Sequence, residues 1–457
     1  MKHLFLALLL FTMQAKSQIN TEDSLFIRQI FDEALTNSTC YDVLRHLCKE
    51  IGPRLSGSRG AAEAVDYLHS TFKKEGFDSV FLQEMLVPHW VRGSVCKVSS
   101  AGGQNTFSAC ALGNSMGGKA TAKVLMVEHV EDLDSLDPAQ IKGKIVFFTR
   151  PMEPRHINTF KAYGGCVDQR WAGPSKAAKY GAVATMVRSM SHKEDEFPHT
   201  GSMSYDTLYP KIPAVALATA SASRLKKMLE QNPNTIIEIE TDCYTLPDTI
   251  SHNVIAQYNG TEIPGAYMIV GGHLDAWDNG EGAHDDGAGC VQSYEAIRIL
   301  KNLGYKPRNN LRAVMFMNEE NGLRGAKKYA ELTAKNRETH TAAIESDRGG
   351  FSPRGFAIET NNKETLALFE SWKPLLSPYG LTDILEGSGG ADIGPLKSGG
   401  TLCIGYLPDS QRYFDHHHAG SDTFEEVNKR ELELGAASMA ALIYLMDKYG
   451  VVAGASD

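Results

Sequence analysis

The segment Tyr267-Met268-Ile269-Val270-Gly271-Gly272-His273-Leu274-Asp275 decides how this chain is read. Four residues of unbroken strand pattern run into a Gly-Gly pair and then into an imidazole and a carboxylate. A strand apolar on both faces belongs inside a parallel sheet covered by helices. In open α/β sheets, ligands bind beyond the carboxyl ends of such strands. Two later stretches repeat the arrangement. Residues 312–317 lead into Asn318-Glu319-Glu320, and residues 341–344 lead into Glu345-Ser346-Asp347. Asp285-Asp286-Gly287 lies in the Gly-rich loop after the first strand, and a His-rich loop covers residues 413–422.

Working outward, short apolar strands at 254–257, 267–270, 312–317, 342–344, 355–358 and 402–404 alternate with helical patterns at 288–303, 325–335, 363–374 and 429–448. That alternation predicts an α/β fold, a three-layer sandwich around a mixed, largely parallel sheet. Residues 120–249 read differently, as short β runs with two helices and few polar clusters suited to chemistry. The Gly-rich stretch 113–118 marks the boundary. The expected organisation is a signal peptide at 1–17, an N-terminal part of the main domain at 18–117, an inserted β-rich domain at 118–249 and the main part at 250–457.

Composition narrows the function. Of 457 residues, 42% are hydrophobic and 22% charged, the balance of a soluble globular protein. Lys and Arg number 46 against 55 Asp and Glu, a net charge of −9, which repels phosphate backbones and speaks against a nucleic-acid partner. The start carries Lys2 and His3, an apolar run at 4–11 and Ala15-Lys16-Ser17, the pattern of a cleaved export signal, too short to span a bilayer. A secreted or periplasmic location is therefore expected. Eight cysteines show no Cys-x-x-Cys spacing; Cys96 and Cys110, in consecutive strand-like stretches, are placed to face each other across a hairpin. Gly113-Asn114-Ser115-Met116-Gly117 fits a nucleophile-elbow pattern, but a β run follows where a helix is required.

The clusters at the strand ends offer hard oxygen ligands and imidazoles, a donor set suited to a divalent metal and above all to zinc. Any one of these clusters alone is more often a turn or a solvated face. Their convergence on one predicted edge of the sheet favours the metal.

With 271–278, Gly282-Ala283-His284-Asp285-Asp286-Gly287, Asn318-Glu319-Glu320-Asn321-Gly322, Glu345-Ser346-Asp347, Gly389-Gly390-Ala391-Asp392 and the His-rich loop 413–423, the chain resembles the M28 family of zinc peptidases. The resemblance implies a zinc-exopeptidase fold and two zinc ions per chain. His273 and Asp347 would hold one ion, Glu320 and His418 the other, and Asp285 would bridge them. Glu319 is implied as the general base that takes a proton from water, and Asp275 as the carboxylate that orients His273. Arg348, His417, Ser388 and Gly389 are candidates for substrate binding. The middle segment is similar to a protease-associated (PA) domain. The implied activity is hydrolysis of short peptides or dipeptides by an exported exopeptidase of carboxypeptidase or dipeptidase type, acting as a homodimer. An aminopeptidase of the same family, a glutaminyl cyclotransferase-like enzyme and an inactive receptor-like binding protein stand as alternatives.

Overall fold

The computed structural model describes residues 21–451, and within them the chain builds two sheets of eight strands each. The expected signal peptide lies outside the described residues. In the first sheet the strands begin, in spatial order, at residues 79, 244, 310, 266, 339, 402, 353 and 383. The middle four, Asn310–Phe316, Ala266–His273, Thr339–Glu345 and Leu402–Pro408, run parallel. Their outer neighbours Tyr244–Tyr258 and Pro353–Glu359 run antiparallel to them, which makes the sheet mixed.

Successive strand residues point to opposite faces, so each strand feeds two cores. Met268 and Val270 enter one apolar layer with Ile27, Val291 and Leu442, whereas Ile269 enters the other with Ala326 and Tyr329. The first layer is closed by the helices Thr21–Asn37, Ala288–Asn302 and Lys429–Tyr449, and the second by Arg324–Asn336. This is the expected three-layer sandwich. Lys429–Tyr449 starts at Asn428, whose side chain accepts from the Glu431 backbone N–H. Its buried Ala436, Ala437, Ala440 and Ala441 let it lie close to its neighbours.

The second sheet corrects the expected domain boundary. Cys96–Ser100, Thr106–Phe107 and Ala109–Ala111 belong to it, pairing with Ile236–Thr241, with each other and with Ala214–Leu217. The inserted lobe therefore begins near residue 96, not 118. Residues 80–100 read as a continuous β run, but Gly93, at φ 78°, turns the chain into the second sheet. The two lobes are joined by a long antiparallel ribbon, Ser79–Val91 against Tyr244–Tyr258. The same pairing overturns the expected Cys96–Cys110 hairpin. Val98 and Ser99 pair with Phe107 and Thr106, whereas Cys110 lies in the strand that pairs with Ala214–Leu217, and both thiols are free. Ser115 is buried and occupied by backbone partners, with the strand Gly118–Val127 following it. Among the described residues no helix is long and apolar enough to cross a membrane.

His340, in the strand Thr339–Glu345, sits 2.8 Å from the Tyr329 hydroxyl and 3% exposed. Burial, reinforced by the charge of Arg312, holds its pKa down at about 4. An unfolded histidine takes a proton near pH ~6.5, so below that pH protons favour the unfolded chain. The neutral-histidine contribution is intact above ~6.5 and is lost as pH falls toward 4, on the order of 3 kcal/mol in all. Denaturant titrations at pH 7 and pH 4.5 are expected to show His340→Gln losing less stability on acidification than the wild type. Parallel losses in the two proteins would assign acid sensitivity elsewhere.

Candidate metal centre

Three parallel strands deliver the polar groups to one edge. Ala266–His273 ends on His273 itself, Asn310–Phe316 ends just before Glu319 and Glu320, and Thr339–Glu345 ends two residues before Asp347. His273 Nε2 lies 3.3 Å from Asp285 Oδ1 and 3.5 Å from Asp347 Oδ1. His418 Nε2 lies 3.1 Å from Glu320 Oε2 and 3.4 Å from Asp285 Oδ2. The two oxygens of Asp285 thus face two different imidazoles. His417 also comes within 3.8 Å of Asp285 Oδ2, but it makes no approach to Glu320 within ion-pair distance. All five residues that the sequence resemblance marks as ligands converge here.

The donor set fits a pair of cations. Asp285 Oδ2 and Glu320 Oε1 are buried without a hydrogen-bond partner among the described residues. His273 Nδ1 faces the Asp275 carbonyl at 2.8 Å and so must donate to it, which turns the lone pair of Nε2 toward the carboxylates. Burial and the neighbouring charge of Asp285 push Glu320 well above the usual carboxylate range. Burial, with Asp347, Asp275 and Asp285 adding to it against the pull of His273, raises Glu319 to about 8. Burial also works to raise Asp285, but bonding to His273 and the charges of His418 and His273 outweigh it and hold that carboxyl low.

Around these groups the backbone is fixed by buried carboxylates. Asp286 accepts the N–H groups of His273 and Gly289, each at 3.0 Å. Glycine is required at 272 and 289, because a Cβ would come within 2.2 Å of Asp286 Oδ2 and 1.8 Å of the Ser346 carbonyl respectively. Asp422 accepts from the N–H groups of His284 and Asp285 at 2.7 and 3.0 Å, tying the His-rich loop to Asp285. Asp275 differs from expectation. Its carboxylate stands 4.0 Å from His273 Nδ1 and instead accepts from the N–H groups of Asn318 and Glu319. The carbonyl, two bonds nearer the chain, reaches the imidazole first.

These groups form one wall of a cleft of about 580 Å³. Phe160, Tyr163, Arg170 and Trp171 of the inserted lobe form another. Glu319 and His417 line this cleft, whereas Arg348, Ser388 and Gly389 do not. The Arg348 guanidinium lies over the Phe160 ring at 4.8 Å, Ser388 is exposed on the surface, and the Gly389 N–H is bonded to Glu359.

Residues 253–443 match the model of Peptidase family M28. Carboxypeptidase Q of Homo sapiens is 32% identical over 409 residues, covering 89% of this chain and 84% of that protein. The chain belongs to peptidase family M28. It is a metallopeptidase of that family, and a crystal structure of a peptidase M28 precursor from Shewanella amazonensis SB2B matches it with TM-score 0.88 at 30% identity, over 93% of this chain and 97% of the other. A zinc aminopeptidase from Bacillus subtilis shares the fold with TM-score 0.64 at 19% identity, over 89% and 93% of the two chains.

Sequence reasoning missed one residue on which this M28 site depends. Arg54 is fully buried and donates to three carbonyls, Nε to Leu274 at 2.7 Å, Nη2 to Gly282 at 2.7 Å and Nη1 to Glu281. It closes the loop between His273 and Asp285 at both ends. Its one signal in the sequence is local: Arg54 stands in Ile51-Gly52-Pro53-Arg54-Leu55-Ser56-Gly57-Ser58, a stretch rich in turn residues. Removing it takes the side-chain donor from the Leu274 and Glu281 carbonyls, while Gly282 keeps the Gly287 N–H at 3.0 Å, and each carbonyl left without a partner carries a penalty of ~1–3 kcal/mol. Arg54→Ala is expected to lower unfolding free energy by on the order of 3 kcal/mol and to reduce bound metal, read by urea denaturation and metal analysis. An unchanged denaturation midpoint would show that the loop does not rely on this residue.

Proposed function

We propose that this M28 peptidase is an exported di-zinc exopeptidase of carboxypeptidase or dipeptidase type that acts on short peptides. The observation that carries the reading is the sharing of Asp285 between two groups of ligand atoms at the base of a cleft roofed by a second lobe. His273 and Asp347 would hold one ion, Glu320 and His418 the other, with Asp285 common to both. Bound zinc supplies Lewis acidity toward a carbonyl oxygen and lowers the pKa of water.

The chain's own groups supply the rest. Glu319 lines the cleft with no side-chain hydrogen bond among the described residues, free to take a proton from the attacking water and return it to the leaving amine. Asp275, through the N–H groups of Asn318 and Glu319, fixes the turn that aims this carboxylate. A cleft of about 580 Å³ falls among pockets that bury small molecules, ~300–1,000 Å³, which suits a dipeptide or a chain end. Most of the relatives' length is shared, and the name carboxypeptidase Q supports the carboxy-terminal preference. Residues 1–17 support export, and the inserted second sheet supports the PA-like assignment. The homodimer rests on the resemblance, with Leu86 and Ile250, paired on the ribbon and both more than half exposed, offering apolar surface.

Glu319→Gln is expected to keep both zinc ions while kcat falls by ~10² or more; full turnover would remove it as the base. Asp285→Ala is expected to lose metal together with activity, and unchanged zinc content would show that it does not bridge. For the class of exopeptidase, free dipeptides are compared with their N-acetylated and C-amidated forms before and after chelation and zinc re-addition. Zinc-restored cleavage lost on amidation, alone or with acetylation, is expected; loss on acetylation alone would make the enzyme an aminopeptidase.

A further inference from the structure

Arg170 lies in the short helix Asp168–Trp171 of the inserted lobe, only 7% exposed, yet it lines the cleft beside Glu319, Glu320 and His418. Its hydrogen bonding is incomplete. Nη2 donates to the Tyr163 hydroxyl at 2.7 Å, while Nη1 has only long contacts, 3.4 Å to the Thr200 carbonyl and 3.3 Å to His418 Nδ1. Nε is buried without a partner. Other buried arginines are better matched: Arg92 pairs with Asp278, Arg312 with Glu338, and Arg54 with three carbonyls. No carboxylate lies within ion-pair distance of Arg170 among the described residues.

The contact with His418 makes the deficit larger. His418 Nε2 faces Asp285 and Glu320, so to offer them or an ion its lone pair it must carry its proton on Nδ1. That proton goes to the Thr200 carbonyl at 3.3 Å, and a protonated ring nitrogen accepts nothing from Arg170. Room for the guanidinium is built in. A Cβ at Gly201, whose φ is 128°, would come within 2.4 Å of Nη1. A desolvated guanidinium beside a cation-binding site is unfavourable unless an anion enters between them.

We propose that Arg170 grips the free α-carboxylate of the peptide substrate and thereby sets carboxy-terminal specificity. This rests on the exopeptidase reading above. In a C-terminal residue the scissile nitrogen and the carboxylate are attached to the same Cα, so the clamp has to lie immediately beside the metal ligands, as Arg170 does. Its planar fork presents paired N–H donors that match a carboxylate. The aromatic rings of Phe160 and Trp171 and the side chain of Leu323 line the same cleft and suit an apolar side chain on that residue.

The test uses the zinc-loaded full chain, leucyl-leucine and its C-terminal amide, with zinc content measured for every variant. The readout is the ratio of kcat/KM for acid over amide, which a merely structural role would leave unmoved. It is expected to be ~10² or more in the wild type and to fall to near one in Arg170→Gln, chiefly through KM for the acid. Arg170→Lys, which keeps the charge but loses the fork, is expected to fall between them and carries the test if the glutamine variant does not fold. A ratio unchanged in the variants overturns the proposal alone. Cleavage of neither compound by wild-type enzyme with two zinc ions bound overturns the exopeptidase reading and the clamp with it.

Discussion

Four carboxylates, Asp285, Glu319, Glu320 and Asp347, converge at the carboxyl ends of three parallel strands, and no lysine or arginine pairs with any of them among the described residues. Like charges brought this close in a low-dielectric space repel strongly. Protons can relieve the repulsion: burial first, and the neighbouring carboxylates after it, push Glu319 and Glu320 above the usual carboxylate range. Cations relieve it better, because they satisfy several oxygens at once. Two imidazoles with lone pairs turned inward complete a set of groups that a pair of divalent ions would neutralise.

Holding such groups together requires a backbone that cannot relax away from them. The chain achieves this with buried groups that never face the cleft. Asp286 pins the end of the His273 strand to the following helix, and Asp422 pins Asp285 to the His-rich loop. Arg54, reaching in from the N-terminal segment, closes the loop that carries Asp285. The inserted lobe adds a further hold. The Thr200 N–H donates to the His418 carbonyl at 2.9 Å, and His199 Nδ1 lies 2.8 Å from the His417 carbonyl. The segment bearing His418 is thus fixed from both lobes, so any movement of the lobes relative to each other bears directly on that imidazole.

Much of this was legible because the central strands and the ligand motifs are local signals. An apolar run followed by Gly-Gly-His or by Asn-Glu-Glu states both the strand and its chemical end within ten residues. The boundary of the inserted lobe was not legible, since strand pattern is the same on either side of Gly93 and only pairing partners tell the sheets apart. Asp275 shows a related limit. Two positions along from His273 a residue offers both a carboxylate and a carbonyl, and sequence does not say which one the ring meets.

The two arginines near the site show the same limit in its sharpest form. Arg348 follows Asp347 directly and so invites a substrate-binding role, yet its guanidinium lies over the Phe160 ring and is not itself part of the cleft lining. Arg170 stands more than a hundred residues from every candidate ligand motif, in a segment that reads as having few polar clusters suited to chemistry. It reaches the site only because the inserted lobe folds back over the His-rich loop, with Phe160 and Tyr163 stacked on Tyr413 and Phe414. Groups that hold metals cluster at strand ends and in motif-bearing loops, and so leave a local trace. Groups that choose among substrates need only line the opposite wall, so an insertion can alter specificity while the motifs that identify the family stay untouched.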